Sequence, residues 1–386
     1  MKHLTNNMKY SLPLVLLLLA MMSLFQQCRD PQPENKPTPY ELTIPKGFPT
    51  RLNIPADNPL TVEGIELGRY LFYDGRLSGR TDPDSLMSCG TCHLQQYAFE
   101  CGIDHPVFTD GHPHGLNGSL TPNVMLSLQN LVWNESGYEW NGFVNSQNQN
   151  GFRNIEDIVY QGVVSKHEIA GDTSKTVALI QSINGYPQLF EKAFGSPKVT
   201  FKNISRAIAQ FVRTLTSTNS KFDRYLRGEE QLSEAELSGY VLFMTENGGD
   251  CFHCHGGDGN PLFTTNLFYN NGLDTVFSKT NDRFSITGIN SDIGAYKAPT
   301  LRNVELTGPY MHDGRFKTLE EVIDFYSEGV KSSPYINPLM HHVNGGGVRL
   351  LPKQKQDIIA FIKTLRDDSF LTNPAFSRPA KMPDGK

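Results

Sequence analysis

The sequence lacks the features of a nucleic-acid-binding protein, and it has few cysteines. Its 386 residues carry 35 Lys and Arg against 40 Asp and Glu, with no basic run containing interleaved aromatic residues, so we expect no nucleic-acid partner. A hydrophobic fraction of 38% with 19% charged residues excludes a disordered chain and a wholly membrane-embedded one. Of six cysteines, four fall in two short motifs, and Cys28 and Cys101 remain. Because Cys101 has no free partner in the folded part, we expect a buried thiol there.

Two motifs of the form Cys-x-x-Cys-His organise the chain. Their thiols and imidazoles are Cys89, Cys92, His93, Cys251, Cys254 and His255. This is the attachment signature of a c-type haem, in which both thiols add to the porphyrin vinyl groups and the adjacent imidazole binds the iron. A redox dithiol or a zinc site needs no histidine there, and paired zinc motifs usually lie closer together in sequence. The sequence therefore predicts two covalent c-type haems, with His93 and His255 as iron ligands.

The N-terminus has the layout of an export signal. Basic residues precede an apolar run at residues 12–20, which is typical of a signal peptide rather than of a membrane span. Cys28 follows as in a bacterial lipoprotein signal, whereas Gln26 and Gln27 replace the small residues usual before such a cysteine. We expect residues 1–28 to be a signal peptide and the mature protein to lie in the periplasm. Two alternatives stay open: a free protein, and one anchored to the membrane by a lipid on Cys28.

A helical pattern recurs in two halves of the chain. Apolar spacing predicts one helix before and one after each haem motif, at residues 62–73, 204–215, 234–244 and 352–365. Ser233 and Glu236 form a capping box at the start of the third of these helices. Loops rich in glycine and asparagine follow each motif, and residues 145–150 are expected to form an exposed insertion.

The order of helix, haem motif, loops and closing helix is that of a cytochrome c domain. The predicted fold is all-α, with two cytochrome c-like domains at residues 59–230 and 231–372, each wrapped around one haem. A proline-rich linker is predicted at 29–58 and a C-terminal tail at 373–386. Because neither loop-rich half can bury enough apolar surface alone, we expect the chain without haem to be poorly folded.

Segments after the second haem motif resemble the bacterial di-haem cytochrome c peroxidase family, which includes the MauG-type enzymes that mature methylamine dehydrogenase. The similar segments are residues 298–303, 306–315 and 318–322, which contain Leu-Arg-Asn and His-Asp-Gly. The first half is similar more loosely, at residues 138–142 and 164–171. The resemblance covers about residues 60–370.

The resemblance implies that the two haems do different work. The haem at His93 would bind and split hydrogen peroxide, and the haem at His255 would accept electrons from a small cytochrome or another one-electron donor. Trp140 matches the family's tryptophan between the haems, with an ordinary core aromatic as the alternative. Glu168 matches the distal acid–base that moves a proton between the peroxide oxygens. A solvated loop glutamate is the alternative, and His167 could take the same role.

The resemblance also implies a removable distal histidine and a calcium ion between the domains. His112 and His114 are the two candidates for the histidine. For calcium, the family's Arg-Asn is replaced by Ser119 and Leu120, which removes an asparagine ligand. The positions whose carbonyls bind calcium in the family correspond to Thr307 and Pro309, so a calcium site stays an open alternative.

The sixth ligand of the second haem separates the family's branches. Alignment of the segment at 318–322 assigns this position to Tyr326, the MauG-type arrangement, in which a phenolate would stabilise higher iron oxidation states. Met311 is the rival, since methionine is the ligand in peroxidases and raises the potential. Met340 is a more remote candidate.

Three functions follow from these residues. The leading hypothesis is a di-haem peroxidase that reduces hydrogen peroxide to water. The alternative is a MauG-type enzyme that oxidises a protein or an organic substrate. The third is a non-enzymatic electron-transfer protein with two haems. Members of the family are often dimers, so a homodimer is an additional expectation.

Overall fold

Helices dominate the described part of the chain. The computed structural model describes residues 36–108, 110–145, 150–257 and 259–386. The predicted signal peptide with Cys28, and residues 146–149 of the predicted insertion, lie outside the described residues. Within the described ranges, no helix has the length and apolar character needed to cross a bilayer.

The helices divide between the two halves of the chain. The first half contains α1 (Val62–Tyr73), α2 (Cys89–Cys92), α3 (Ile155–Val164), α4 (Thr173–Ser182), α5 (Tyr186–Phe194) and α6 (Phe201–Arg213). The second contains α7 (Lys221–Leu226), α8 (Glu234–Phe243), α9 (Phe252–His255), α10 (Phe284–Thr287), α11 (Leu319–Asp324), α12 (Pro352–Lys363) and α13 (Asp368–Leu371). Two short strands, β1 (Phe268–Tyr269) and β2 (Tyr296–Lys297), pair antiparallel. The predicted helical character is therefore confirmed, with one small sheet added.

In the first half, α1 crosses the closing helix α6 at very short distance. A Cβ atom on Gly68 would lie 1.9 Å from the backbone oxygen of Ala207, so only glycine permits this approach. Beside the crossing, the rings of Phe72 and Phe211 pack edge to face with centroids 5.3 Å apart. This buried crossing holds the end of α1, from which the chain continues to the first haem motif.

In the second half, α8 crosses α12 in the same way. A Cβ atom on Gly239 would lie 1.8 Å from the backbone oxygen of Asp357. The predicted capping box is confirmed, since the Ser233 amide donates to the Glu236 carboxylate at 2.7 Å and the Ser233 side chain accepts from the Glu236 amide. Each haem motif therefore follows a helix that is locked against the closing helix of its half.

The segment between Pro37 and α1 is packed, although it belongs to the stretch predicted as a linker. Phe48 lies against Trp133 with ring centroids 5.3 Å apart, and Leu262 from the second half joins the same buried cluster. Residues 37–386 form one compact unit. Burial of these apolar side chains gives the segment a fixed position that its local composition does not reveal.

The C-terminal tail returns to the first half. The backbone oxygen of Phe376 accepts a hydrogen bond from the Tyr73 hydroxyl at 2.7 Å. Farther along, the Asp384 carboxylate lies 2.6 Å from the guanidinium of Arg76, and both side chains are largely shielded from solvent. The tail therefore stabilises the end of α1 and the turn that follows it.

A buried polar network built on the Leu-Arg-Asn segment joins the two halves. Within the second half, the fully buried Arg302 guanidinium makes a two-pronged pair with Asp223 of α7, at 2.6 and 2.8 Å. The neighbouring Asn303 side-chain amide then donates across to the Gln129 side chain of the first half at 2.6 Å. Since buried polar groups of this kind tolerate little displacement, the segment fixes the first half against the second.

Candidate functional site

His93 of the first haem motif lines a cavity of about 650 Å³. The Nδ1 atom of His93 donates to the backbone oxygen of Phe99 at 2.7 Å, which leaves the lone pair on Nε2. Burial lowers the pKa of His93 to about 4, so the ring is neutral, as a metal ligand requires. Helix α2 carries the thiols of Cys89 and Cys92 directly before this imidazole.

The second haem motif borders a cavity of about 190 Å³. Here Nδ1 of His255 donates to the backbone oxygen of Pro299 at 3.0 Å, and burial again lowers the imidazole pKa to about 4. Cys251 and Cys254 line the same cavity. Each cavity is thus lined by a neutral imidazole with an available nitrogen that directly follows two thiols in the chain, and this donor set fits a c-type haem.

The three candidates for the sixth ligand of the second haem all line the second cavity, namely Tyr326, Met311 and Met340. The Asn271 side-chain amide donates to the Tyr326 hydroxyl at 2.9 Å and lies 3.7 Å from the Met311 sulfur. Burial raises the pKa of Tyr326 above its ordinary value, which keeps the phenol protonated in the absence of a metal. Asn271 thus orients the tyrosine and lies beside its main rival.

Glu168 lines the first cavity together with His93. Burial raises the pKa of its carboxyl above the ordinary value. The pKa of the Cys89 thiol rises to about 12, first through burial and second through the negative charge of Glu168, so this carboxyl lies close to the haem motif. The structure therefore brings together the proximal imidazole and the predicted acid–base in one cavity.

Glu139 is another carboxyl in the first cavity, and it is not among the residues predicted from the sequence. Its side chain lines the cavity and is exposed there. Desolvation by the protein atoms around the carboxyl, and then the charge of Glu168, raise its pKa to about 7. The signal was available, because Glu139 directly precedes Trp140 in a segment similar to the family. Its backbone φ of 64° belongs to the left-handed region, which local propensity does not predict for glutamate.

A shared wall separates the two cavities. Trp140 lines both of them, and its indole nitrogen donates to the backbone oxygen of Val124 at 2.8 Å. Lys297 also lines both, with its backbone amide donating to the Trp140 carbonyl at 2.7 Å. Burial lowers the pKa of Lys297 to about 7. The predicted tryptophan therefore stands between the two sites.

The predicted distal histidines lie outside the lining of the first cavity, whereas the residues predicted to bind calcium line it. His112 donates to the backbone oxygen of Asp313 at 3.0 Å, and His114 contacts the Gly115 carbonyl at 3.1 Å. Neither of these two described histidines lines the cavity of His93, whereas His167 does. Thr307 and Pro309 line the first cavity near the shared wall, so the residues proposed for calcium lie on the first-cavity side.

Known proteins resemble this chain over most of its length. A family model described as di-haem cytochrome c peroxidase matches residues 62–231. The chain is 31% identical over 323 residues to methylamine utilization protein MauG of Methylophilus methylotrophus, covering 82% of this chain and 86% of the relative. It is 32% identical over 338 residues to cytochrome c551 peroxidase of Nitrosomonas europaea, covering 86% of each.

Solved structures agree with these relatives. A MauG-like protein associated with microbial copper homeostasis superposes with a TM-score of 0.76 at 32% identity, covering 88% of this chain and 99% of the other. The diheme peroxidase BthA from Burkholderia thailandensis superposes with a TM-score of 0.66 at 18% identity, which is a likeness of fold. With both cavities and these relatives in view, the chain belongs to the di-haem cytochrome c peroxidase family, whose members include peroxidases and MauG-type proteins.

Proposed function

We propose that the protein is an exported di-haem peroxidase. It reduces hydrogen peroxide to water in the cavity of His93, with electrons that enter at the cavity of His255 from a small cytochrome or another one-electron donor. The observation that carries this proposal is the pair of carboxyl groups in the first cavity, Glu168 and Glu139, with raised pKa values. When bound, the haems supply the electron exchange and the peroxide-binding metal.

The carboxyl groups supply the proton movement that peroxide reduction requires. Each turnover converts one hydrogen peroxide, two electrons and two protons into two molecules of water. Glu168 accepts a proton from one peroxide oxygen and delivers it to the departing oxygen, which leaves as water. Its raised pKa makes the carboxyl a better proton store near neutral pH than an exposed glutamate. Glu139, with a pKa of about 7, holds a second proton in the same cavity.

The shared wall gives electrons a short path between the sites. The Trp140 ring lines both cavities and is held by its hydrogen bond to Val124. An indole fixed in this way keeps a constant orientation during turnover. The asymmetry of the two cavities supports entry of electrons at His255 and their use at His93.

A MauG-type oxidation of a protein or an organic substrate is the second candidate function. It is favoured by Tyr326, which lines the second cavity and accepts a hydrogen bond from Asn271. A phenolate ligand there would stabilise a more oxidised iron than methionine would. The third candidate is electron transfer without catalysis, and it gives Glu168 and Glu139 in the first cavity no chemical role.

Further features belong to the same proposal. The mature protein acts in the periplasm after removal of residues 1–28 or is anchored there through Cys28. Its two cytochrome c-like domains span residues 59–230 and 231–372. A calcium ion near Thr307 and Pro309, and assembly into a homodimer, complete the expectations.

Steady-state turnover of peroxide with a reduced small cytochrome tests the proposal. The holoprotein is assayed both fully oxidised and half-reduced, because some family members become active only after one haem is reduced. We expect turnover in at least one preparation. Absence of turnover in both would overturn the peroxidase proposal, and a long-lived two-electron-oxidised state after peroxide would favour the MauG-type function.

A further inference from the structure

A cluster of metal-ligating side chains lies beside the second haem motif, and the proposed peroxidase chemistry does not use it. Candidate ligand atoms of Glu246, His253 and His341 all lie within 4.8 Å of one another. His253 stands between the two cysteines of the motif, where haem attachment requires no particular residue. We propose that these three side chains bind one divalent ion of a late first-row transition metal, such as Cu²⁺ or Zn²⁺.

Asp250 prepares His253 for this role. The Nδ1 atom of His253 donates to the Asp250 carboxylate at 2.6 Å, so the lone pair is on Nε2. A carboxylate behind a ligating imidazole is the usual arrangement in metal sites, since it fixes the tautomer and the ring orientation. Asp250 is itself well shielded, with 8% of its side chain exposed, and is therefore a firm support.

The Nε2 atom of His253 faces the carboxylate of Glu246, the second proposed ligand. This nitrogen lies 3.8 Å from Oε1 of Glu246. This spacing exceeds a hydrogen bond, but it is close to the separation of about 3.3–3.4 Å between neighbouring donor atoms in a tetrahedral site with bonds of about 2.0–2.1 Å. A small side-chain adjustment therefore brings both atoms onto one ion.

His341 supplies the third ligand and opens the site to solvent. Its ring stands at 87° to the ring of His253, with centroids 5.0 Å apart. Its side chain is 39% exposed and that of Glu246 is 60% exposed, so an ion can enter from solution. Two imidazoles and one carboxylate suit zinc, copper or nickel, whereas calcium and magnesium require more oxygen ligands.

The site adjoins the second haem cavity, because Asp250 and His341 also line that cavity. A bound dication adds positive charge there, which favours the reduced form of the neighbouring redox centre. We therefore expect metal binding to raise the reduction potential of the second haem. This inference goes beyond the proposed function and does not depend on peroxide turnover.

Metal titration of the holoprotein, purified without a polyhistidine tag, tests the site. Cu²⁺ is followed by electron paramagnetic resonance, in which two imidazole ligands give nitrogen splitting, and Zn²⁺ by calorimetry. We expect one equivalent of either ion to bind, and the two ions to compete. His253→Gln and His341→Gln should each weaken binding more than tenfold, and Asp250→Asn about 10–100-fold.

His342→Gln is the matched control. Its imidazole contacts the backbone oxygen of Glu246 at 2.8 Å, and a glutamine amide can replace that contact, so the affinity should stay unchanged. If the histidine variants lose haem, the largely exposed Glu246→Gln variant decides, since it should fold normally and bind more weakly. Failure of the wild type to bind one equivalent, or wild-type affinity in Glu246→Gln and the histidine variants, would overturn the proposal.

Discussion

The cavity beside His93 and the cavity beside His255 hold their histidines in the same way, but the other residues that line them differ. In each, the imidazole Nδ1 donates to a backbone oxygen, of Phe99 in the first and of Pro299 in the second. The first cavity then presents the carboxyl groups of Glu100, Glu139 and Glu168, whereas the second presents the carboxyl of Asp250 and the phenol of Tyr326. The same haem-holding unit can thus serve two tasks, because the fold fixes the ligand side and the loops decide the rest.

Replacing a carboxyl of the first cavity should change peroxide turnover more than any other substitution considered. Glu168→Gln removes the proton carrier but keeps the size of the side chain, so peroxide turnover should fall about 10²–10⁴-fold. Steady-state kinetics measure the loss, and absorption spectra check that both haems remain attached. Glu66→Gln, on the exposed side of α1, is the control and should retain full activity. Equal activity of Glu168→Gln and wild type would contradict the role of Glu168 as the proton carrier of the first cavity.

The two helix crossings offer a symmetrical test of stability. Gly68→Ala and Gly239→Ala each force a methyl group against a backbone oxygen, and each should lower the free energy of unfolding by about 1–3 kcal/mol or more. Urea denaturation of the holoprotein measures the loss. Gly345→Ala is the control, because its added Cβ meets nothing within 4 Å. A neutral effect at either crossing would contradict the tight packing of that half.

Variants of Tyr326 and Met311 distinguish the two main candidates for the sixth ligand in the second cavity. Tyr326→Phe loses the hydrogen bond from Asn271 and should cost about 0.5–1.5 kcal/mol of stability. If the phenol is the sixth ligand, the spectrum of the second haem changes and that of the first does not. Met311→Leu serves as the paired variant and should leave that spectrum unaltered. The reverse pattern would assign the position to methionine.

The smallest expected effect is a pH dependence confined to the first cavity. The pKa of Glu139 is raised from 4.5 to about 7 in the folded chain, so the folded state binds more protons than the unfolded state between these values. Stability should therefore fall as pH rises from 4.5 to about 7 and level off above that window. Comparison of urea midpoints with Glu139→Gln isolates this slope. Parallel pH curves for the two proteins would contradict the raised pKa of the Glu139 carboxyl.

The local pattern of the sequence predicted the elements with a clear period or motif. The helix at 62–73 is observed as α1 (Val62–Tyr73), and the capped helix predicted at 234–244 is observed as α8 (Glu234–Phe243). Both have a regular apolar spacing or a capping residue that is visible without the fold. The resemblance to the peroxidase family is confirmed by relatives that cover more than four fifths of the chain.

Features that depend on distant contacts could not be predicted. The packing of Phe48 on Trp133 joins residues far apart in the chain, so the segment before α1 had the composition of a linker. Glu139 owes its cavity position to a left-handed backbone and its raised pKa to tertiary surroundings. His112 and His114 fit a sequence pattern, but their hydrogen bonds hold them outside the cavity lining.

Electron paramagnetic resonance of the half-reduced holoprotein, before and after addition of cyanide, tests the unequal tasks of the two sites most directly. The carboxyl-lined cavity of His93 should admit the added ligand, whereas the second cavity should remain closed by Tyr326 or Met311. We predict that cyanide changes the signal of the His93 centre alone. A change at both centres, at neither centre, or only at the His255 centre would contradict the division of labour.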